Sequence, residues 1–389
     1  MSNQILTHIS ILFFHCKNGV YFFMSLVHTT KVLGLSSGSS LDGINAAIII
    51  TDGVDVFERV KSFDIPYDDN LREALRHMQK NFAKMNEEEK NRIANSLTDF
   101  HIGAAREIIA DYGQVDLIGF SGHIICHKPT EHILYQIGDG QRMANELAIK
   151  TVSKFRNADI LAGGQGAPLS AIYHAAMMQN EEKPIVVVDI GGLSSITFIG
   201  QNGELAAFDA GPGNAAINEW VNKHAGMLMD YNGKLAITGK VNEDVLKSMM
   251  KHKFLAKMPP KAADSETFRD KLEHLEGLCL EDGAATATAF ICEAIWDAIG
   301  RFIPIEPKKI VVCGGGAKNP TMMRFLRMRS RNIATVTAEE CGFDAAGIEA
   351  EAFGFLAVRR LQQMPISYPF TTGAVTEVIG GEIFEPKTP

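Results

Sequence analysis

The stretch Lys31–Ile50, KVLGLSSGSSLDGINAAIII, decides how the rest of the chain is read. An apolar, β-branched run reaches a Gly/Ser turn with an Asp beside it, and a second apolar run follows at once. That pattern predicts a strand, a tight turn and a second strand. The same device returns at Pro184–Gly200, PIVVVDIGGLSSITFIG. Glycine lets backbone N–H groups approach an anion, Ser hydroxyls add donors, and an Asp at the turn can hold a divalent cation or its waters. Two such hairpins facing one another would grip a polyphosphate from both sides. The plainer reading is a pair of ordinary hairpin turns without a ligand.

A third glycine cluster lies in KKIVVCGGGAKNP, Lys308–Pro320, where a strand ends in Gly314, Gly315 and Gly316 and Asn319 and Pro320 open a helix. Bare backbone there suits the face of a purine and ribose. There is no GxxxxGK[ST], and no GxGxxG with a downstream acid, so the glycines belong to neither a Walker loop nor a Rossmann fingerprint.

Composition narrows the classes. With 389 residues, 46% hydrophobic and 22% charged, the chain is long enough for two packed domains and has no signature of disorder. A formal net charge of −8 and the absence of a Lys/Arg-rich run argue against a nucleic-acid partner. Six scattered cysteines without a CxxC pair fit a reducing cytoplasm rather than a disulfide framework or zinc site. The apolar runs ILFF and VYFF near the N-terminus are broken by Lys17, Asn18 and Gly19, which argues against a secretory signal or membrane span. Met24 would open MSLVHTTKVLGL, so residues 1–23 are expected to come from an upstream start codon or to form an extra, loosely attached segment. Helical spacing is expected between Tyr67 and Tyr112, and the charged stretch Lys253–Glu276, broken by Pro259 and Pro260, is expected as an exposed excursion.

Strand-turn-strand twice, then strand-GGG-helix, resembles the order of actin-like ATPases, Hsp70 and sugar kinases. The longer segments GLSSGSSLDGINAA, YQIGDG, FRNADILAGGQGAPL, VDIGGLSSITFIG, FDAGPGNAAINEW, VCGGGAKNP, EAEAFGFLA and TTGA resemble the anhydro-N-acetylmuramic acid kinase family, the sugar kinases of peptidoglycan recycling. The resemblance implies a two-domain α/β, ribonuclease H-like fold, with mixed sheets flanked by helices and a central ATP cleft. It divides the chain into an N-terminal extension 1–29, domain I 30–182 with the tail 365–389 packing back on it, and domain II 183–364, hinged near 180–184.

The implied reaction uses ATP, Mg²⁺ and water to convert a 1,6-anhydro sugar into the open 6-phosphate. It needs a base for the water, cation support for the phosphates and donors that fix the sugar. Asp159 matches the family's catalytic Asp and is expected to deprotonate that water; by turn chemistry alone it is a loop-capping Asp. Glu349 matches a family acid facing the cleft, where the plain reading is an exposed helix Glu, and Glu351 and Glu340 are expected in solvent. Gly38, Ser39, Ser40, Leu41, Asp42, Gly43, Ile44 and Asn45 match the ATP-phosphate segment, with Asp42 acting through Mg²⁺. Gly191 and Gly192 form the second phosphate turn, and Gly314, Gly315, Gly316 and Asn319 the adenosine loop. Asp189 stands where the family more often has Asn, and a carboxylate there would strengthen a metal contact. His127, Arg156 and Gln165 are expected at the sugar.

The chain departs from the family pattern around the sugar and the lid. SGHIICH stands for HGQTxxH, Lys154 for an Asp, Asn218 for an Asp, and KAADSE for KSTGRE. A kinase of the same mechanism acting on another anhydro sugar or a hexose derivative, and a non-catalytic ATP-binding regulator, are the alternatives. Apolar helices such as the one with Phe290 and Ile295 are candidates for a homodimer contact.

Overall fold

A computed structural model describes residues 7–16, 19–38, 41–264, 266–330 and 332–387, with side chains from His28 onward. Ser39 and Ser40, two of the expected phosphate-binding residues, lie outside the described residues. Thr7–Cys16 (β1) and Gly19–His28 (β2) pair antiparallel as a two-stranded sheet of their own.

Two larger sheets share one plan. The first takes Thr30–Ser37 (β3), Gly43–Thr51 (β4), Val56–Pro66 (β5), Leu117–Lys128 (β6), Ile133–Ile137 (β7) and Thr151–Ser153 (β8), with spatial order β8-β6-β3-β4-β5 and β7 paired to β6. The second takes Ile185–Ile190 (β9), Leu193–Ile199 (β10), Leu205–Pro212 (β11), Lys309–Cys313 (β12) and Ala334–Thr337 (β13), in the order β11-β10-β9-β12-β13. In each, three strands meander antiparallel, the fourth returns parallel to the first on its free side, and the fifth continues parallel. The two glycine hairpins read from the sequence are β3–β4 and β9–β10, so each opens its own sheet. This duplicated mixed α/β plan is the arrangement the resemblance implies. The closing strand Glu382–Phe384 (β14) pairs antiparallel with β8, which brings the tail onto the first sheet.

One helix crosses from the second half of the sequence to the first sheet. Gly34 on β3 and Gly119 on β6 are direct neighbours, and a Cβ on either would run into the carbonyl of Ala350 or Phe353. Only bare backbone lets the Ile348–Leu361 helix lie so close. This helix, which lies within the 183–364 division, packs on β3, β4 and β6, and Glu349 in its first turn faces Ser36 of β3.

Two expectations change. Phe290 and Ile295, on the Leu280–Phe302 helix, are 0% and 1% exposed inside the chain's own core and offer no dimer surface. The stretch from Lys253 to Glu276 is built into the fold: Lys261, Ala262, Ala263, Phe268 and Leu275 are buried. The Lys261 ammonium is tolerated there because it donates to the carbonyls of Phe254 (3.0 Å) and Leu255 (3.1 Å) and sits over the rings of Phe254 and Phe302. No helix among the described residues is long and apolar enough to cross a membrane.

Candidate active site

Strand register brings acids together that lie far apart in the sequence. Asp189 on β9 and Asp209 on β11 both pair with Ser195 on β10, so the two carboxylates occupy one row of the second sheet, with Cys313 of β12 beyond Asp189. Glu349 reaches the same region from the first turn of its helix, facing Ser36 and Arg156. Arg156 is the cation among them, within electrostatic reach of Glu349, Asp159 and Asp209.

Burial raises the three acids of this cluster, Asp189, Asp209 and Glu349, and repulsion from the other two adds to the rise of Asp189. Burial, reinforced by Glu349 and Asp209, pushes Asp189 up to about 7. Burial also lifts Asp209 to about 6, held down from higher values by the Ala263 N–H, Arg156 and Lys261. Glu349 is raised by burial against the pull of Arg156 and Ser36. Arg156 thus offsets Glu349 and Asp209, while Asp189 has no cation beside it among the described residues, in an environment that disfavours the charged form of all three acids.

Asp159 occupies a different setting from the one expected. It is 0% exposed, and its oxygens accept from the Gly166 amide (2.7 Å), the Ser367 hydroxyl (2.5 Å) and the Thr372 hydroxyl (2.5 Å). A carboxylate so enclosed has no face for a water to be deprotonated. It anchors the 163–166 loop to the tail, and Gly164 is so tightly packed that a Cβ there would meet the Asp159 carboxylate.

The residues expected at the sugar are tied to that same loop. Arg156 donates to the Gly166 carbonyl (2.5 Å). His127, lowered to about 4 by burial and Arg156, is a neutral imidazole at ordinary pH, and its Nε2–H donates to the Gln165 carbonyl (2.8 Å). Gln165 spends its side-chain amide on the Pro260–Ala262 segment: Nε2 donates to the Pro260 carbonyl (3.0 Å) and Oε1 accepts from Ala262 N–H (2.9 Å).

The glycine loops flank this cluster. Gly314, at φ 74°, approaches Asp189 so closely that a side chain there would strike the carboxylate. Asn214 holds the Gly191–Gly192 turn by donating from Nδ2 to the Ile190 carbonyl (2.9 Å) and from its amide to Gly191 O (2.8 Å), while Ala215 N–H donates to Gly192 O (3.2 Å). Gly315 lies beside the Asn214 amide, and Gly316 packs on Ile190. Asn319 caps the Pro320–Arg329 helix, its Oδ1 accepting from Thr321 N–H (3.0 Å) and Met322 N–H (3.1 Å), so its side chain is engaged.

In the first hairpin, Leu41 takes φ 60° and is buried, Arg72 Nε donates to Leu41 O (3.2 Å), and Tyr67 N–H donates to Asp42 O (3.1 Å). The Asp42 side chain is exposed, Gly38 is half-buried, Gly43 is pressed on the Ile65 carbonyl and Ile44 is buried. Asn45 donates to Asp64, which pairs with Lys318 Nζ at 3.6 Å and so links this hairpin to the GGG loop. Behind the turn, Ser37 Oγ contacts Tyr67 OH (2.5 Å) and His123 Nδ1 (2.8 Å).

Sequence reasoning passed over Asp209, although FDAGPGN puts an acid at a strand end ahead of a Gly/Pro turn. It also placed Glu351 in solvent, whereas Glu351 is 2% exposed and accepts from Tyr173 OH and from Arg59 Nε (3.2 Å). Glu340 is exposed as expected, paired with Arg327 at 2.6 Å.

Known proteins resemble the chain over nearly this whole architecture. The family model described as anhydro-N-acetylmuramic acid kinase matches residues 30–386. A protein of that name from Paramagnetospirillum magneticum is 39% identical over 359 residues, 91% of this chain and 99% of its own. Another from Rhizorhabdus wittichii is 39% identical over 368 residues, 92% of this chain and 100% of its own. Among solved structures, the activator of the 2-hydroxyisocaproyl-CoA dehydratase from Clostridium difficile is similar at 16% identity and TM-score 0.42, over 86% of this chain and 97% of its own. On the family match and the identities of these relatives, the chain belongs to the anhydro-N-acetylmuramic acid kinase family.

Proposed function

We propose that the protein is an ATP-dependent sugar kinase that adds water to 1,6-anhydro-N-acetylmuramic acid and phosphorylates it, giving N-acetylmuramic acid 6-phosphate and ADP. In a chain of this family, the observation that carries the reading is the meeting of Asp209 and Glu349 at Arg156, with Asp189 within electrostatic reach of both acids and lying against Gly314 of the GGG loop.

Asp209 is the base in this reading, in place of Asp159. Water attacks the anomeric carbon and loses its proton to an Asp209 oxygen, the bond from that carbon to O6 breaks, and O6 takes the γ-phosphoryl group as ADP leaves. An Asp near 6 is ionised at neutral pH yet basic enough to take the proton. Its negative charge also favours oxocarbenium character at the sugar carbon. Arg156, fixed by Gly166, orients the sugar and offsets the acids. Glu349 places the sugar or the water from the opposite sheet.

The Gly38–Asn45 hairpin and the Gly191–Gly192 turn embrace the phosphates, and Gly314–Gly316 the adenosine. Asp189 and Asp42 are the residues that would hold Mg²⁺ entering with ATP. The surplus of carboxylate around Asp189 suits such a cation. Bound there, the ion would offset phosphate charge. We place the reaction in the cytoplasm, where ATP is at hand.

Turnover of a panel of 1,6-anhydro sugars with ATP and Mg²⁺ in ¹⁸O-labelled water, quenched before anomeric exchange, tests the reading. Label on the anomeric oxygen with phosphate on O6 of the muramic acid derivative is expected. No turnover of that sugar, or phosphate transfer without label, would overturn it.

A further inference from the structure

We infer that Gln165 is a positioning residue for Asp209, its side-chain amide latching the 163–166 loop to the segment that holds the carboxylate. This inference rests on the reading of Asp209 as the base.

The latch is a pair of hydrogen bonds from one amide to one stretch of backbone. Gln165 Nε2 donates to Pro260 O at 3.0 Å and Ala262 N–H donates to Gln165 Oε1 at 2.9 Å. The next amide, Ala263 N–H, donates to Asp209 Oδ2 at 2.8 Å, and Asp209 N–H donates to Lys261 O at 2.8 Å. Each bond that fixes Asp209 therefore comes from the residue directly following one that Gln165 holds.

Gln165 is itself held on both sides. Its N–H donates to Thr372 O (2.9 Å) and its carbonyl accepts from His127 Nε2–H (2.8 Å). Thr372 in turn donates to Asp159, so a continuous series of bonds runs from Asp159 through Thr372 and Gln165 to Ala263 and Asp209. The loop that carries Gln165 also receives Arg156 at Gly166. Base and sugar-orienting cation are thus registered to one another through a single loop.

The chemistry follows from what Ala263 N–H does. A donor on an ionised carboxylate favours the charged, basic form, and a fixed donor also fixes where the oxygen points. Releasing the segment weakens both. A side chain that merely touched the sugar would leave both intact.

Gln165→Leu removes both bonds, and Gln165→Glu keeps an acceptor for Ala262 N–H but loses the donor to Pro260 O. In the full-length protein we expect kcat to fall on the order of 10- to 100-fold for Leu and less for Glu, the size of effect a small misplacement of a catalytic group produces. The acid limb of the kcat–pH profile should move to higher pH in both, with the sugar KM and the Kd of a non-hydrolysable ATP analogue little changed. In the Asp209→Asn background, Gln165→Leu should add no further loss. A raised sugar KM with kcat and its acid limb unmoved would make Gln165 a sugar contact and overturn the inference, as would full activity in both variants. If Leu fails to fold, the Glu profile alone decides. Should Asp209→Asn keep full activity, the base reading itself falls; should it be inactive while the Gln165 limb stays put, only the latch falls.

Discussion

Asp189 and Asp209 stand in one row of the second sheet, each paired with Ser195 on the strand between them. Two strand spacings separate them by about 10 Å, close enough to feel one another and far enough to serve different partners. Asp189 lies against Gly314 of the GGG loop, while Asp209 receives the Ala263 amide and faces Arg156. Different surroundings for two acids of one type are how a site separates a phosphate-side charge from a base.

The pH dependence of turnover should report Asp209. As its folded value is raised to about 6, the base form is lost as pH falls, so kcat/KM for the sugar should decline on the acid side with a midpoint near 6. A kcat/KM–pH profile for the sugar at saturating ATP checks this. An acid limb far below that value would place the titrating group elsewhere.

Stability should move the other way. Asp189, lifted to about 7, is destabilising when ionised in the fold; its contribution is fully present below the unfolded value and is lost as pH rises through about 7. Asp189→Asn, without ligand, should therefore melt above the wild type at about pH 8, by on the order of 1–3 °C, and the gap should close toward pH 4. Melting curves across that range, with no gap at high pH, would contradict the burial of this charge.

Asp159→Asn should behave as a loss of anchorage. Disturbing a buried carboxylate with three donors costs roughly 1–3 kcal/mol, read as a lower Tm. The acid limb of kcat should stay where Asp209 puts it.

The helix that carries Glu349 depends on two bare backbone positions. Gly34→Ala or Gly119→Ala sets a methyl against the Ala350 or Phe353 carbonyl and should cost about 1–3 kcal/mol by overpacking. Because the helix must shift, kcat should fall as well, while ATP-analogue binding through the second sheet changes less. Retention of both Tm and kcat would show that the contact is slack.

Much of this was legible in the sequence because it is local. Hairpins β3–β4 and β9–β10 and the GGG turn are written in alternation and turn residues within about twenty positions, and the structure reproduces each. What escaped was decided by partners far along the chain. Asp159 reads as a base in its motif, yet Ser367 and Thr372, 208 and 213 positions away, enclose it. Asp209 needed the register of β9, β10 and β11 before it could be seen beside Asp189. Glu351, two positions from Glu349, went to Tyr173 and Arg59 rather than to solvent because the helix lies buried on the first sheet. Periodicity reveals that a helix is amphipathic, and not which sheet will receive it.

The most direct measurement is a single-turnover comparison of Asp209→Asn and Asp159→Asn with ATP, Mg²⁺ and 1,6-anhydro-N-acetylmuramic acid in ¹⁸O-labelled water. We expect Asp209→Asn to bind the nucleotide and lose the labelled 6-phosphate by a factor of about 10²–10⁴, with folded Asp159→Asn still forming it. Labelled product from Asp209→Asn at the wild-type rate, with Asp159→Asn folded and inert, would contradict the assignment and return the base to Asp159.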